Sequence, residues 1–143
     1  MKINSKKSGF TLVELAVVVV IIGVLAAFGV PRFLDSVERS KASESFNYLS
    51  SVRASQERYH ARQGTYADKI ESLDIRLQTP KYFTVGTIQA GSTGDLQDSW
   101  SLTMTRAGAS AGYGAYTVTF THDGYDGENS TIDEKPAINP MQT

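Results

Sequence analysis

A single carboxylate lies inside the most apolar part of this chain, and its chemistry demands an explanation. Glu14 interrupts an apolar stretch that starts at Phe10, and the 17 residues from Leu15 to Pro31 carry no charge. An ionised carboxylate deep in lipid costs several kcal/mol, so an acid that enters a membrane requires a partner. The pattern therefore predicts that Glu14 pairs with another group.

The apolar stretch around Glu14 predicts a membrane-spanning helix. About 20 residues are enough to cross the hydrocarbon core. The β-branched residues at 17–22 are poor helix formers in water, but in lipid the backbone must satisfy its own hydrogen bonds. Lys2, Lys6 and Lys7 precede the stretch. Basic residues favour the cytoplasmic side, so the rest of the chain is expected to face outward.

Three interpretations fit this amino-terminal segment. A secretory signal peptide would be cut after the apolar region, where Leu25-Ala26-Ala27 offers a weak small-residue match. A signal anchor would not be cut at all. In the third interpretation, the cut lies before the apolar region. Glu14 separates them, because neither of the first two supplies a partner for its charge.

The residues around Glu14 resemble a known processing site. Lys7-Ser8-Gly9-Phe10-Thr11-Leu12-Val13-Glu14 is similar to the cleavage motif of type IV prepilins and type II secretion pseudopilins. In that family a membrane peptidase cuts after the glycine and methylates the new amino-terminal phenylalanine. The resemblance implies cleavage between Gly9 and Phe10, N-methylation of Phe10, and an assembly role for Glu14. Gly23 and Pro31 match positions where the family often has helix-loosening residues.

The residue types suit this chemistry. Gly9 has no side chain, so its backbone can closely enter a peptidase cleft. Cleavage creates an α-amine with a reference pKa of about 8, and methylation leaves it able to carry a positive charge. The resemblance implies that Glu14 pairs with this amine on a neighbouring subunit. Loss of one partner would leave a buried charge, so the pair is expected to set the register of assembly.

Residues 32–63 predict an amphipathic continuation of the helix. The apolar positions recur mostly at steps of three and four residues: Leu34, Val37, Ala42, Phe46, Leu49, Val52 and Tyr59. Gly64 follows basic residues in the last turn and is the expected stop signal, with His60 as a helix-end cation. One helix from Phe10 to Gln63 would measure about 80 Å. Such a helix suits a filament with an apolar core and outward heads.

The remaining residues, 64–143, predict a globular head with an antiparallel sheet. Apolar residues at Ile70, Leu73, Ile75 and Leu77 are expected to pack on the helix. Alternation of period two predicts strands over residues 82–88, 100–105 and 116–121, with glycine-rich turns at 86–94 and 108–114. The predicted fold class is α+β and type IV pilin-like, with three or four strands packed on the long helix.

The carboxy-terminal segment is acidic and suggests one optional metal site. Asp123, Asp126, Glu128 and Asp133 could supply oxygen ligands for Ca²⁺. The resemblance here is to major secretion pseudopilins, some of which hold Ca²⁺ in an acidic loop near this end. The spacing is not that of an EF-hand, and an acidic loop is usually only solvated. No other cofactor is expected.

Composition excludes several classes of function. The chain has 14 basic and 15 acidic side chains, and removal of residues 1–9 leaves 11 against 15, so no direct nucleic-acid site is expected. It has no cysteine and two histidines, which excludes disulfides, thiol catalysis and a histidine-rich metal centre. No Ser/His/Asp or paired-carboxylate constellation indicates an enzyme.

The leading functional interpretation is a major structural pilin. It predicts four segments: a cleaved leader (1–9), a transmembrane polymerisation helix (10–31), an amphipathic half-helix (32–63) and a head (64–143). The expected partners are identical subunits, the prepilin peptidase, the inner-membrane assembly machinery and the membrane before assembly. The family implies adhesion, motility or DNA uptake. The alternatives are a type II secretion pseudopilin and a signal-anchored periplasmic domain.

Overall fold

The computed structural model describes residues 9–110 and 112–142, so most of the predicted leader lies outside the described residues. The chain divides into two compact units with a boundary between Leu34 and Asp35. The first unit contributes the beginning of a single long helix. The second holds the rest of that helix and the sheet.

Helix α1 runs from Leu12 to Gln63, close to the predicted bounds. It ends where the sequence predicts, because Gly64 adopts a left-handed conformation (φ 74°) and its N–H bonds to the His60 carbonyl at 2.8 Å. Pro31 lies within the helix without ending it. The described residues include this one helix of sufficient length and apolar character to span a membrane.

The second part of α1 buries one face, which is more polar than predicted. Phe46, Leu49 and Val52 lie in the core as expected, whereas Leu34 is 39% exposed. The full set of buried helix residues includes four polar side chains: Glu38, Ala42, Ser45, Phe46, Tyr48, Leu49, Val52, Ser55 and Gln56. Buried polar groups must find hydrogen-bond partners, so this face is held by specific bonds as well as by apolar contact.

Five antiparallel strands form the sheet, one more than the upper end of the prediction. They are β1 (Phe83–Val85), β2 (Gln89–Ala90), β3 (Trp100–Arg106), β4 (Thr117–Thr121) and β5 (Gly124–Tyr125). The order is β1-β3-β4-β5, with β2 also paired to β3. Two strands of two residues each, β2 and β5, account for the higher count, because such short pieces carry no readable alternation.

The predicted strand over residues 82–88 is interrupted at Gly86. Its N–H bonds to the Thr103 carbonyl at 3.0 Å, and a Cβ on Gly86 would lie 2.6 Å from that oxygen. Only glycine permits this approach of two backbones. The edge beside β3 is therefore divided into β1 and β2.

Strands β3 and β4 place their apolar side chains toward α1. Trp100, Leu102 and Met104 are buried and alternate with half-buried hydroxyl residues, as predicted. Thr119 on β4 departs from the alternation and is 4% exposed. Its hydroxyl bonds to the Asn129 carbonyl, because the segment after β5 lies against this side of the strand.

The connection between α1 and β1 packs on the core with one exception. Ile70, Leu73 and Ile75 are partly buried against the core cluster, as predicted. Leu77 is 52% exposed and lines a surface depression together with residues of α1, so it lies beside the helix, as predicted, but outside the buried core. The spacing of apolar residues in an irregular segment does not determine which side chain faces inward, since no helical or strand period fixes its direction.

Candidate functional site

The predicted cleavage point lies in an exposed, non-helical segment directly before α1. Gly9, Phe10 and Thr11 precede the first helical residue, Leu12, and Phe10 is 83% exposed. Apart from the chain neighbours of Gly9, no described atom lies within 4 Å of a Cβ built on it. The peptide bond between Gly9 and Phe10 is therefore open to a peptidase without unwinding of the helix. Residues 1–8 of the predicted leader lie outside the described residues.

Glu14 has a partner within its own chain, which the sequence reasoning missed. Its Oε2 accepts hydrogen bonds from the Thr11 N–H at 2.7 Å and the Thr11 hydroxyl at 2.8 Å. The Thr11 hydroxyl in turn accepts from the Glu14 N–H at 3.2 Å. This reciprocal arrangement is a capping box, and its Thr-x-x-Glu spacing is readable in the sequence. Both donors are neutral, so the cap satisfies hydrogen bonds of Glu14 without balancing its charge, and no cation among the described residues forms an ion pair with it.

Gly23 and Pro31 lie in the exposed apolar part of α1. A Cβ built on Gly23 would meet nothing within 4 Å, so packing within one chain does not require glycine there. Pro31 is accommodated in a continuous helix. Their predicted role in loosening the helix concerns the assembled state and stays a prediction.

A buried ion pair attaches the sheet to α1 at Glu38, near the start of the buried face of the helix. Arg106, the last residue of β3, donates from Nε to Glu38 Oε1 at 2.5 Å and from Nη2 to Oε2 at 3.2 Å. Tyr116, just before β4, donates its hydroxyl to Glu38 Oε1 at 2.9 Å. Each side chain of the pair is 1% exposed. Three elements thus meet at one carboxylate.

The remaining donors of Arg106 hold the turn after β3. Nη2 donates to the Ala109 carbonyl at 2.7 Å, and Nη1 donates to the carbonyls of Tyr82 and Ala107. Tyr113, farther along the same turn, donates its hydroxyl to Asp35. A buried guanidinium needs a partner for each donor. Arg106 thus ties residues 107–110 to α1, and Tyr113 makes a separate bond to the helix.

Burial and charge act in opposite directions on Glu38. Desolvation raises the pKa of its carboxyl, but hydrogen bonds from Arg106 and Tyr116 and the charges of Arg106 and Lys41 outweigh it and hold the pKa below its ordinary value. Burial, as the larger cause, and the hydrogen bond to Glu38 together raise the pKa of Tyr116 well above its usual range. The carboxylate is therefore ionised and the phenol neutral at neutral pH.

The sequence contained a signal for this cluster that the prediction did not use. Arg106 follows Trp100, Leu102 and Met104 at steps of two, so the strand period directs it inward. Glu38 lies four residues before Ala42 on the buried face of α1. A charged residue in phase with core positions requires a buried partner of opposite charge.

The four predicted calcium ligands are not gathered in one place. Asp126 accepts two bonds from Asn129, at 3.1 and 2.8 Å, and the Asp123 Oδ2 lies 3.3 Å from the His122 Nε2. Glu128 and Asp133 line one surface depression. Across residues 9–110 and 112–142, no group of three or more His, Cys, Asp or Glu side chains is arranged to hold a metal ion. Calcium binding stays a prediction.

Asp133 instead fixes the end of the chain. Its Oδ1 accepts hydrogen bonds from Tyr125 at 3.0 Å, Asn139 at 2.9 Å and Gln142 at 2.8 Å. Ile132 and Ile138 on either side are fully buried. Packing and one carboxylate thus hold the tail in the described structure.

Comparisons with known proteins point to one family. Residues 4–30 match the family model described as the prokaryotic N-terminal methylation motif. The fimbrial protein EcpC of Eikenella corrodens is 30% identical over 125 residues, covering 87% of this chain and 80% of that protein. The type IV major pilin protein PilA of Myxococcus xanthus is 26% identical over 152 aligned residues, covering 96% and 69%. The type IV major fimbrial protein FimA of Dichelobacter nodosus is 44% identical over 50 residues, covering 35% and 31%. The first two alignments extend beyond the motif into the head.

Proposed function

The chain belongs to the type IV pilin family and is a structural pilin subunit, and from this premise we propose how it is processed and polymerised. After removal of residues 1–9, identical copies assemble through the first part of α1 into a helical filament. The observation that carries this proposal is the exposure of that apolar segment. The relatives are named as pilins and fimbrial proteins, which does not favour the pseudopilin alternative.

The apolar segment of α1 has the surface expected of a filament core. Its large apolar side chains, from Leu12 to Phe33, are between 49% (Val18) and 82% (Leu12) exposed in the single chain. A contiguous apolar surface of this extent needs cover by lipid or by other protein. Lipid provides the cover before assembly and neighbouring copies provide it afterwards.

Cleavage supplies a positive charge for Glu14, which has no ion pair within the part of the chain that the structure describes. Hydrolysis of the bond between Gly9 and Phe10 leaves a protonated α-amine on Phe10, and methylation preserves its capacity for positive charge. The Thr11 cap already satisfies hydrogen bonds of Glu14 with neutral donors. Pairing with the amine of a neighbouring subunit adds the missing charge and sets the axial register, since a mismatched register leaves both charges unpaired in the apolar core.

The proposed route begins in the inner membrane. The basic residues of the leader keep the amino terminus on the cytoplasmic side, and the head lies outside the cytoplasm. The prepilin peptidase acts on the anchored chain, and the inner-membrane assembly machinery then extrudes it as an extracellular pilus. Adhesion, motility or DNA uptake follows from the filament, and no catalytic role is assigned to the chain.

Deletion of the gene tests this function against its alternative. The expected result is loss of surface filaments with protein secretion intact, and complementation with the full chain restores the filaments. Intact filaments together with defective secretion would instead support a pseudopilin. Electron microscopy of sheared surface material and a secretion assay measure the two outcomes separately.

A further inference from the structure

Three cations surround one aromatic ring at one edge of the head. Tyr82 immediately precedes β1, and its ring centroid lies 5.0 Å from Lys41 Nζ, 5.7 Å from Lys81 Nζ and 5.6 Å from Arg106 Cζ. Arg106 is buried, with 1% of its side chain exposed, so we call the other three residues, Lys41, Lys81 and Tyr82, the Tyr82 cluster. Beside them is a shallow depression lined by Val37, Ser40, Lys41, Glu44 and Tyr82.

The Tyr82 cluster carries more positive charge than its own acids neutralise. Glu38 is ion-paired with both Arg106 and Lys41, the latter at 3.4 Å. Glu44 Oε1 accepts a bond from the backbone N–H of Lys81 at 3.5 Å. The Lys81 ammonium is exposed and has no ion pair among the described residues. The aromatic ring holds its cationic neighbours without neutralising them.

The opposite edge of the sheet is acidic. After β5, the Asp126 N–H bonds to the Thr119 carbonyl at 3.0 Å, and the Thr117 N–H bonds to the Thr131 hydroxyl at 2.8 Å. This segment therefore lies along β4 on the side away from β3, whereas β1 is the far strand of the order β1-β3-β4-β5. We call Asp126, Glu128, Asp133 and Glu134 on this segment the acidic edge.

The segment that contains the acidic edge accounts for the net charge of residues 10–143. Residues 122–135 have five acidic side chains against Lys135, a net charge of −4 with His122 neutral. The rest of residues 10–143 has ten acidic and ten basic side chains. Glu128 and Glu134 are exposed, and among the described residues their carboxylates accept no hydrogen bond.

We propose that the Tyr82 cluster is a docking surface for the acidic edge of a second copy of this chain. This inference rests on the proposed polymerisation. Because the two surfaces lie on opposite edges of one sheet, the contact is heterologous: each copy presents its cluster to one neighbour and its acidic edge to another. When the rotation between neighbouring copies does not close into a ring, a heterologous contact generates an open helical filament. Charge complementarity selects the neighbour and its orientation, and the contact weakens with salt.

Charge exchange across the two surfaces tests the proposal in the full chain. Lys81→Glu and Glu128→Lys are each expected to lower the yield of sheared filaments on the order of threefold, the change that a surface ion pair produces in an equilibrium. The double variant is expected to restore most of the wild-type yield. Arg62→Glu and Asp98→Lys are matched controls with the same charge changes at exposed residues outside both surfaces, and should assemble like wild type.

Several outcomes would overturn the proposal. Wild-type yield from both single variants, a double variant no better than the worse single, or equal losses from the controls would each do so. A loss from Lys81→Glu alone would point to an anionic lipid or another acidic partner. If the wild-type chain itself formed no filaments, the proposed function would fail rather than this contact.

Cysteine crosslinking gives an independent readout, because the chain has no cysteine of its own. Filaments of the Lys81→Cys/Glu128→Cys variant are expected to yield a ladder of disulfide-linked multimers on a non-reducing gel. Each single-cysteine variant should stay monomeric. Dimers from Lys81→Cys alone would indicate an isologous contact and contradict the proposal.

Discussion

Glu38 and Arg106, which are 68 residues apart in the sequence, form a bidentate ion pair with 1% of each side chain exposed. The pair joins α1 to the last residue of β3. A second ion pair, between Arg58 and Asp74, has about half of each side chain exposed, at 53% and 49%. The two pairs have the same chemistry in different surroundings, so they form a matched comparison of what burial contributes.

Arg106→Ala is expected to lower the free energy of unfolding of the full chain in detergent by about 3–5 kcal/mol, because it leaves the Glu38 charge buried without its main partner. Arg58→Ala removes an exposed pair and should cost at most about 1 kcal/mol. Denaturant unfolding followed by circular dichroism measures both. Equal losses would show that Glu38 is not stabilised chiefly by Arg106.

Acid is expected to destabilise the head through Glu38. Folding lowers the pKa of this carboxyl from an ordinary value of 4.5. At pH values near these two pKa values, the unfolded state therefore binds more protons than the folded state. The stabilisation is therefore fully present above pH 4.5 and is lost as pH falls through the lower folded pKa. Glu38→Gln should be less stable at neutral pH but lose less stability between neutral pH and acid. Melting temperatures over a pH series test this, and an unchanged slope would contradict it.

Glu14→Gln separates the charge of Glu14 from its capping role, because glutamine also serves at this position of a capping box. The variant is expected to be cleaved normally and to form few filaments. Immunoblots of processed chain and electron microscopy of sheared material provide the two readouts. Thr11→Ala, which removes the hydroxyl of the cap but keeps the charge, is the control and should retain more assembly. Normal filament yield from Glu14→Gln would eliminate the proposed role in register.

Intact mass spectrometry of purified filaments tests the cleavage point. The expected mature chain begins at Phe10 and carries one additional methyl group. A chain that retains residues 1–9, or one that begins near Ala27, would refute the proposed processing. Gly9→Val is expected to block cleavage, since a β-branched side chain prevents the close backbone approach that glycine permits.

The acidic edge is expected to hold its structure without calcium. Asp133 already accepts three hydrogen bonds and Asp126 accepts two. We therefore expect EDTA and added Ca²⁺ to leave the melting temperature unchanged, and Asp133→Ala to lower it, because three donors lose their acceptor. A calcium-dependent rise that disappears in Asp133→Ala would establish the calcium site predicted from the sequence.

Local features of this protein were predictable from the sequence because their physical cause is local. The end of α1 follows from Gly64, whose left-handed conformation favours glycine. The inward face of β3 follows from the strand period. The processing motif around Gly9 and Phe10 is likewise a short contiguous pattern, and the matched family model covers it.

The partners of those residues were decided only by the tertiary structure. Glu38 meets Arg106 and Tyr116 across separations of 68 and 78 residues, and no sequence period relates a helix position to a strand position. The end of β1 at Val85, three residues before the end of the predicted strand, depends on how closely Gly86 approaches Thr103. The same holds for Glu14: its spacing from Thr11 encodes the cap that one chain can form. Its proposed charge partner requires the cut at Gly9 and a second copy, because residues 9–110 and 112–142 place no cation in an ion pair with it.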